Sequence, residues 1–142
     1  MALLLRPLPE NSALLDEADR RALGQKIIEA LSEERREPRL GSSAVDTLID
    51  AISLCKGQGG DVAGKLAALE DPPWLARAAR TYLEWQAALA AEDLDDLLLE
   101  ATRAVQQGRA TRRFRFVQVD EYQDVNGAQR EFLCALAATG AT

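Results

Sequence analysis

The chain contains no histidine and only two cysteines, Cys55 and Cys134, which lie far apart. Those absences remove every histidine-based catalytic triad and most zinc and blue-copper sites, which need clustered imidazole and thiolate ligands. Both thiols are expected to be reduced and structural, as small core or boundary residues. Aromatic residues make up 5% of the sequence, so the core must be built from Leu, Ala, Ile and Val, a composition that favours helix. No apolar run approaches the ~18 residues of a membrane span, and Met1-Ala-Leu-Leu-Leu-Arg-Pro is too short and too soon interrupted for a signal peptide. No membrane partner and a cytoplasmic setting are expected. A phosphate loop of the form Gly-x-x-x-x-Gly-Lys-Thr/Ser is also missing. Lys56-Gly-Gln-Gly-Gly60 resembles one only superficially, because a phosphate cradle needs its lysine after the glycines, at the start of a helix.

The 142 residues that are present carry 47% apolar and 28% charged side chains, the balance of a soluble globular module. A net charge of −6 opposes a uniformly basic nucleic-acid binder. The distribution is uneven, however. Arg103, Arg109, Arg112, Arg113 and Arg115 follow one another without an intervening acid, and Glu92, Asp93, Asp95, Asp96 and Glu100 precede or adjoin them. Two readings stand: a strip that contacts a phosphate backbone, and a solvated face closed by intramolecular ion pairs.

Most of the sequence reads as helix. Asp16 with Asp19 forms a cap and an acidic first turn, and Leu23, Ile27, Ala30 and Leu31 continue at helical spacing, which predicts a helix over 16–33 followed by a surface turn over 33–39. Ser43 is expected to cap a second helix with Val45, Leu48, Ile49 and Ile52 inside, ended by Gly57-Gln-Gly-Gly60. Asp61 caps a short helix bearing Val62, Leu66 and Leu69. Asp71-Pro72 starts a longer one, whose Trp74, Ala78, Tyr82, Trp85 and Leu89 form a core stripe rather than a base-stacking platform. Asp93 opens the next helix, with Leu94, Leu97, Leu98 and Ala101 buried and Gly108 closing it.

After Arg113 the pattern changes. Phe114, Phe116, Val117 and Val119 read as a single strand, rich in aromatic and β-branched residues, that stops at two adjacent carboxylates, Asp120 and Glu121. A capping box of Asn126 and Gln129 then starts a last helix with Ala128, Phe132, Ala135 and Leu136 on its inner face. A lone apolar strand needs neighbours for its backbone groups, which suits a strand inside a parallel sheet whose other members are absent from this sequence. Adjacent carboxylates at such a strand end can face opposite ways, one towards a metal and one towards a reacting water. Their structural alternative is an ordinary acidic turn.

Phe116-Val-Gln-Val-Asp-Glu-Tyr-Gln-Asp-Val-Asn-Gly-Ala-Gln129 closely resembles the Walker B segment, motif II, of the UvrD/Rep/PcrA group of superfamily 1 DNA helicases. Leu14-Leu-Asp-Glu-Ala-Asp19 resembles the segment that opens the helical insertion of the first motor domain in that group. Asp93-Leu-Asp-Asp-Leu-Leu98 resembles the element that closes the insertion, with Leu94 in place of the usual aromatic. The resemblance covers nearly the whole chain. It implies that Asp120 binds Mg²⁺ with the phosphates of ATP, that Glu121 orients or deprotonates the hydrolytic water, and that Gln123 helps connect the nucleotide site to DNA. Asp124 has a rival duty at the start of the following helix.

The resulting expectation is a mainly α chain: a helical bundle with one short strand belonging to an incomplete parallel α/β, RecA-like motor domain. Residues 1–107 are expected to be the helical insertion, subdomain 1B, and residues 108–142 a partial motor-domain segment. The function implied by the resemblance is that of a piece of an ATP-dependent DNA helicase. Its parent would use ATP and Mg²⁺ on single-stranded or forked DNA together with the remaining motor domains. The piece itself, without a phosphate loop, is expected to bind neither cofactor and to be inactive. The alternative is a stand-alone helical module that binds DNA or protein, with Arg109, Arg112, Arg113 and Arg115 as its DNA contacts. In both cases the exposed strand offers a route to self-association.

Overall fold

The computed structural model describes residues 13–35, 40–110 and 114–140. Among them are six α-helices, one 3-10 turn and a two-stranded parallel sheet, so the chain is mainly α as expected. Strand β1, Ala13–Leu14, pairs with β2, Ala91–Glu92, and the ladder continues as Leu15 N–H donates to Glu92 O at 2.8 Å. Helix α1, Glu17–Arg35, follows β1 directly. Asp16 and Asp19 cap it reciprocally, Asp19 N–H donating to Asp16 Oδ1 at 2.9 Å and Asp16 N–H to Asp19 Oδ2 at 3.2 Å. Two charged side chains thereby occupy donors that a helix start leaves unpaired. Of the turn expected over 33–39, the helix takes 33–35 and the remainder lies outside the described residues.

Helix α2, Ser42–Gly57, starts at Gly41 and has no side-chain cap, so Ser43 lies inside the first turn rather than at its head. The predicted core stripe is otherwise present: Val45, Leu48, Ile49 and Ile52 are all buried. Gly59 and Gly60 at φ 70° and 67° reverse the chain after it. Helix α3, Val62–Ala67, is capped by Asp61, which accepts from Gly64 N–H at 3.0 Å.

Helix α4, Leu75–Ala88, begins three residues later than Asp71-Pro72 had suggested. Residues 71–74 form turns instead, with Leu75 N–H donating to Pro72 O. The expected stripe on α4 is only half core. Ala78 and Tyr82 are fully buried, whereas Trp85 and Leu89 are 38% and 60% exposed; Leu75, Ala79 and Gln86 complete the inner face. Helix α5, Leu94–Gln106, carries a full capping box between Asp93 and Asp96 and ends at Gly108, φ 68°. Leu94, expected inside, is 68% exposed: it shares the helical stripe of Leu98, Ala101 and Val105 but stands at the first position of α5, beyond the part of that face that is covered. Helix α6, Gly127–Ala138, is capped by Asn126 and Gln129 and buries Ala128, Phe132, Ala135 and Leu136, each as read from the sequence.

Two apolar clusters result. The larger joins α1, α2, α3 and α4 through residues such as Ile27, Leu48, Ile52, Leu66 and Tyr82. The smaller joins α5 to α6 through Leu98, Leu99, Val105, Phe132 and Leu136, and Val62 packs against both. Cys55 is buried in the larger cluster, Cys134 is exposed on α6, and both are free thiols.

The predicted strand over 114–119 is corrected. Those residues form no ladder, and the strands that do form are at 13–14 and 91–92. The physical reason is the one that made a lone strand awkward: its donors and acceptors have no second strand beside them. Phe114 and Val117 still pack partly against the α5–α6 cluster, while Phe116 is 70% exposed.

Candidate functional site: the acidic turn and the buried lysine cluster

Residues 114–120 lead into a tight turn that delivers the acidic pair. Glu121 adopts φ 50°, ψ 44°, the left-handed region that costs a residue with a Cβ roughly 1–2 kcal/mol. The turn holds it there. Asp124 N–H donates to Glu121 O at 2.9 Å, closing the 3-10 turn Tyr122–Asp124, and Glu121 N–H donates to Asp120 Oδ1 at 3.0 Å. The Gln123 side-chain amide donates to the Glu121 carboxylate. Asp120, Glu121 and Gln123 are thus brought into one solvent-exposed turn whose far end is the capped start of α6. Asn126 rather than Asp124 makes that cap, through Gln129 N–H at 2.9 Å.

The Asp120 carboxylate suits Mg²⁺, a hard ion that commonly takes one or two carboxylates and completes its shell with water and phosphate oxygens. Among the described residues no group of three or more His, Cys, Asp or Glu converges to hold an ion unaided. Asp120 is thus not part of a closed metal cage among the described residues.

The arginine strip is less uniform than its sequence. Arg109 donates to Glu100 at 3.1 Å and to Gln107 Oε1 at 2.8 Å, and Arg103 lies 3.8 Å from the same Glu100 carboxylate. Arg115 places its guanidinium 5.6 Å from the centre of the Phe116 ring. Arg112 and Arg113 lie outside the described residues.

Sequence reasoning missed the most constrained polar group. Lys56, rejected as a phosphate ligand, is 1% exposed and donates to Asp93 Oδ2 at 2.7 Å, to Asp96 at 2.7 Å and to Gln86 Oε1 at 3.4 Å. Gln86 returns a bond to Asp96 at 2.6 Å, and Arg20 on α1 stands 3.6 Å from Asp93. Burial acts to raise the Asp93 pKa, but the Lys56 charge and hydrogen bond outweigh it and hold the carboxyl below its ordinary value. Burial likewise opposes the charge on Arg20, and Asp93 more than restores it, so the guanidinium pKa is raised. Asp95 is pushed up, first by burial and then by the neighbouring Asp93 charge. The signal for Lys56 was available: it sits four residues after Ile52 and seven after Ile49, on the buried stripe of α2, where a lysine must find carboxylates.

One consequence is topological. Two stretches distant in sequence meet: Ala13–Leu14 pairs with Ala91–Glu92 in the parallel β1–β2 ladder, and Arg20 stands beside Asp93. No helix among the described residues is long and apolar enough to cross a membrane.

Residues 4–142 match the model of the UvrD/REP helicase N-terminal domain. The chain is 39% identical over 140 residues to the ATP-dependent DNA helicase UvrD1 of Mycobacterium tuberculosis and to that of Mycobacterium bovis, covering 90% of this chain and 17% of each relative. It is 36% identical over 152 residues to UvrD1 of Mycobacterium leprae, covering 99% of this chain and 19% of the relative. No solved structure matches. The chain therefore spans under a fifth of the length of these curated relatives, and it belongs to the UvrD/REP helicase N-terminal domain family.

Proposed function

We propose that these residues are one segment of an ATP-dependent DNA helicase: the helical insertion, subdomain 1B, over 1–107, and motif II with its following helix over 108–142. The observation that carries the reading is the turn presenting Asp120 and Glu121 side by side at the head of a capped helix, in a chain matched to the family over residues 4–142. The pairing of Ala13–Leu14 with Ala91–Glu92, with Arg20 beside Asp93, supports an insertion within this stretch, since a segment inserted into another domain must leave and return at neighbouring points.

In the intact protein Asp120 is the carboxylate for Mg²⁺, which when bound neutralises charge on the transferring phosphoryl group. Glu121 orients the attacking water and accepts its proton. The hydrogen bond from Gln123 fixes the Glu121 carboxylate and ties it to the residue assigned to DNA coupling. A phosphate loop, the arginines that stabilise transition-state charge and the second motor domain must come from other residues, because catalysis by positioning needs all of them together. The 142 residues alone are inactive. Single-stranded or forked DNA is the partner, and Arg109, Arg112, Arg113 and Arg115 contribute phosphate contacts. The setting is cytoplasmic.

The first test is the coding DNA in frame with residue 1. A Gly-x-x-x-x-Gly-Lys-Thr/Ser motif upstream is expected; stop codons closing the frame at both ends would favour a stand-alone binding module. Single-stranded DNA binding by the arginine strip is expected to weaken steeply with salt, and a salt-independent signal would count against it.

A further inference from the structure

The C-terminal end of α2 does two jobs within five residues. Lys56 grips the start of α5 through Asp93 and Asp96, and Gly57–Gly60 lies against the start of α6. The second contact is close enough to dictate residue type. A Cβ on Gly127, the first residue of α6, would fall 2.7 Å from Gln58 O and 3.1 Å from Gln58 Cα, both backbone atoms that a rotamer change cannot move aside. A Cβ on Gly59 would fall 2.5 Å from Glu131 Oε2 and 3.3 Å from Ala128 Cα, and Gly59 also holds φ 70°. A Cβ on Gly57 would fall 3.4 Å from Nδ2 of Asn126, the cap of α6, an ordinary contact. One hydrogen bond crosses the seam, Gly60 N–H donating to Glu131 Oε2 at 3.2 Å, and on the loop side the Lys65 ammonium of α3 donates to Gly59 O.

The start of α6 is also the far end of the acidic turn. Only the 3-10 turn and Val125 separate Glu121 from Asn126. Moving α6 along the glycine loop therefore moves Asp120 and Glu121 with it.

We propose that the Gly57–Gly60 loop, with Gly127 and Glu131, is a positioning seam that fixes the acidic pair relative to the helical subdomain, so that Lys56–Gly60 sets the starts of α5 and α6 together. The role for the pair rests on the helicase reading; the seam itself does not. Its test is accordingly made without nucleotide, by hydrogen–deuterium exchange on the 142-residue chain. In Glu131→Ala the amides of Gly60 and of Asp124–Gln129 exchange about tenfold faster, as expected for loss of one charge-assisted hydrogen bond, while Leu48 and Ile52 in α2 are unchanged. Glu131→Gln keeps an acceptor oxygen and restores exchange to within about twofold of the parent chain. In Gly127→Ala the loop and the turn accelerate together. Equal exchange in the Ala and Gln variants overturns the proposal, and so does acceleration of the loop without the turn. Should Gly127→Ala fail to fold, the Glu131 pair decides alone. A parent protein without ATPase activity would refute the helicase reading and leave these exchange rates untouched.

Discussion

At the scale of single residues, Lys56 carries the strongest commitment. A buried ammonium held by two carboxylates adds little net stability over an apolar side chain, yet removing it strands Asp93 without its main countercharge. Lys56→Ala is expected to destabilise the chain by about 3–5 kcal/mol in urea unfolding. A loss below about 1 kcal/mol would mean that water or Arg20 already compensates Asp93. The sign of the pH dependence follows from the lowered Asp93 pKa. A depressed carboxylate contributes stability that is full above its unfolded value, near 4, and is lost as pH falls through the lower folded value. Asp93→Asn should therefore be less stable than the parent at pH 7, with a shallower fall in stability below about pH 4. Asp95, pushed up, works in the opposite direction and softens that fall.

At the scale of elements, capping is where sequence and structure can be compared most sharply. Asn126→Ala removes the acceptor for Gln129 N–H and should cost about 1 kcal/mol, read as a lower urea midpoint with an unchanged slope. Ser43→Ala should change stability by less than about 0.5 kcal/mol, because Ser43 lies inside α2 and caps nothing. The capping box at Asn126 was legible because its two halves lie three residues apart, whereas Asp93 was read only as the start of α5 and its reciprocal partner Asp96 emerged from the structure. Ser43 misled because Gly41 two residues earlier starts the helix without a side chain. Leu94 and the Trp85–Leu89 end of the α4 stripe misled because periodicity says which residues share a face, and not how far along the helix the neighbour extends. The predicted 114–119 strand shows the same limit: β propensity is local, whereas a ladder needs a second strand. The acidic turn was legible in composition, but the left-handed Glu121 that shapes it was not, since nothing in Asp-Glu-Tyr announces a positive φ.

At the scale of the whole molecule, the chain is two small apolar cores bridged by Val62 and fastened by Lys56 and the glycine seam. Phe116 and Val119, 70% and 36% exposed, stay uncovered in the stretch that lacks strand neighbours. Concentration-dependent self-association is expected by light scattering and should diminish in Phe116→Ser; a monomer at all concentrations would show that the remaining packing of Phe114 and Val117 suffices. The central claim, that Asp120 and Glu121 are the metal and water carboxylates of an ATPase assembled from a longer chain, is tested most directly by DNA-stimulated ATP hydrolysis. In the intact protein Glu121→Gln should lower the rate by about 100-fold or more while ATP binding persists, and the 142-residue chain should hydrolyse none. Hydrolysis by the 142 residues alone that Glu121→Gln abolishes would contradict the account, as would an intact protein indifferent to that substitution.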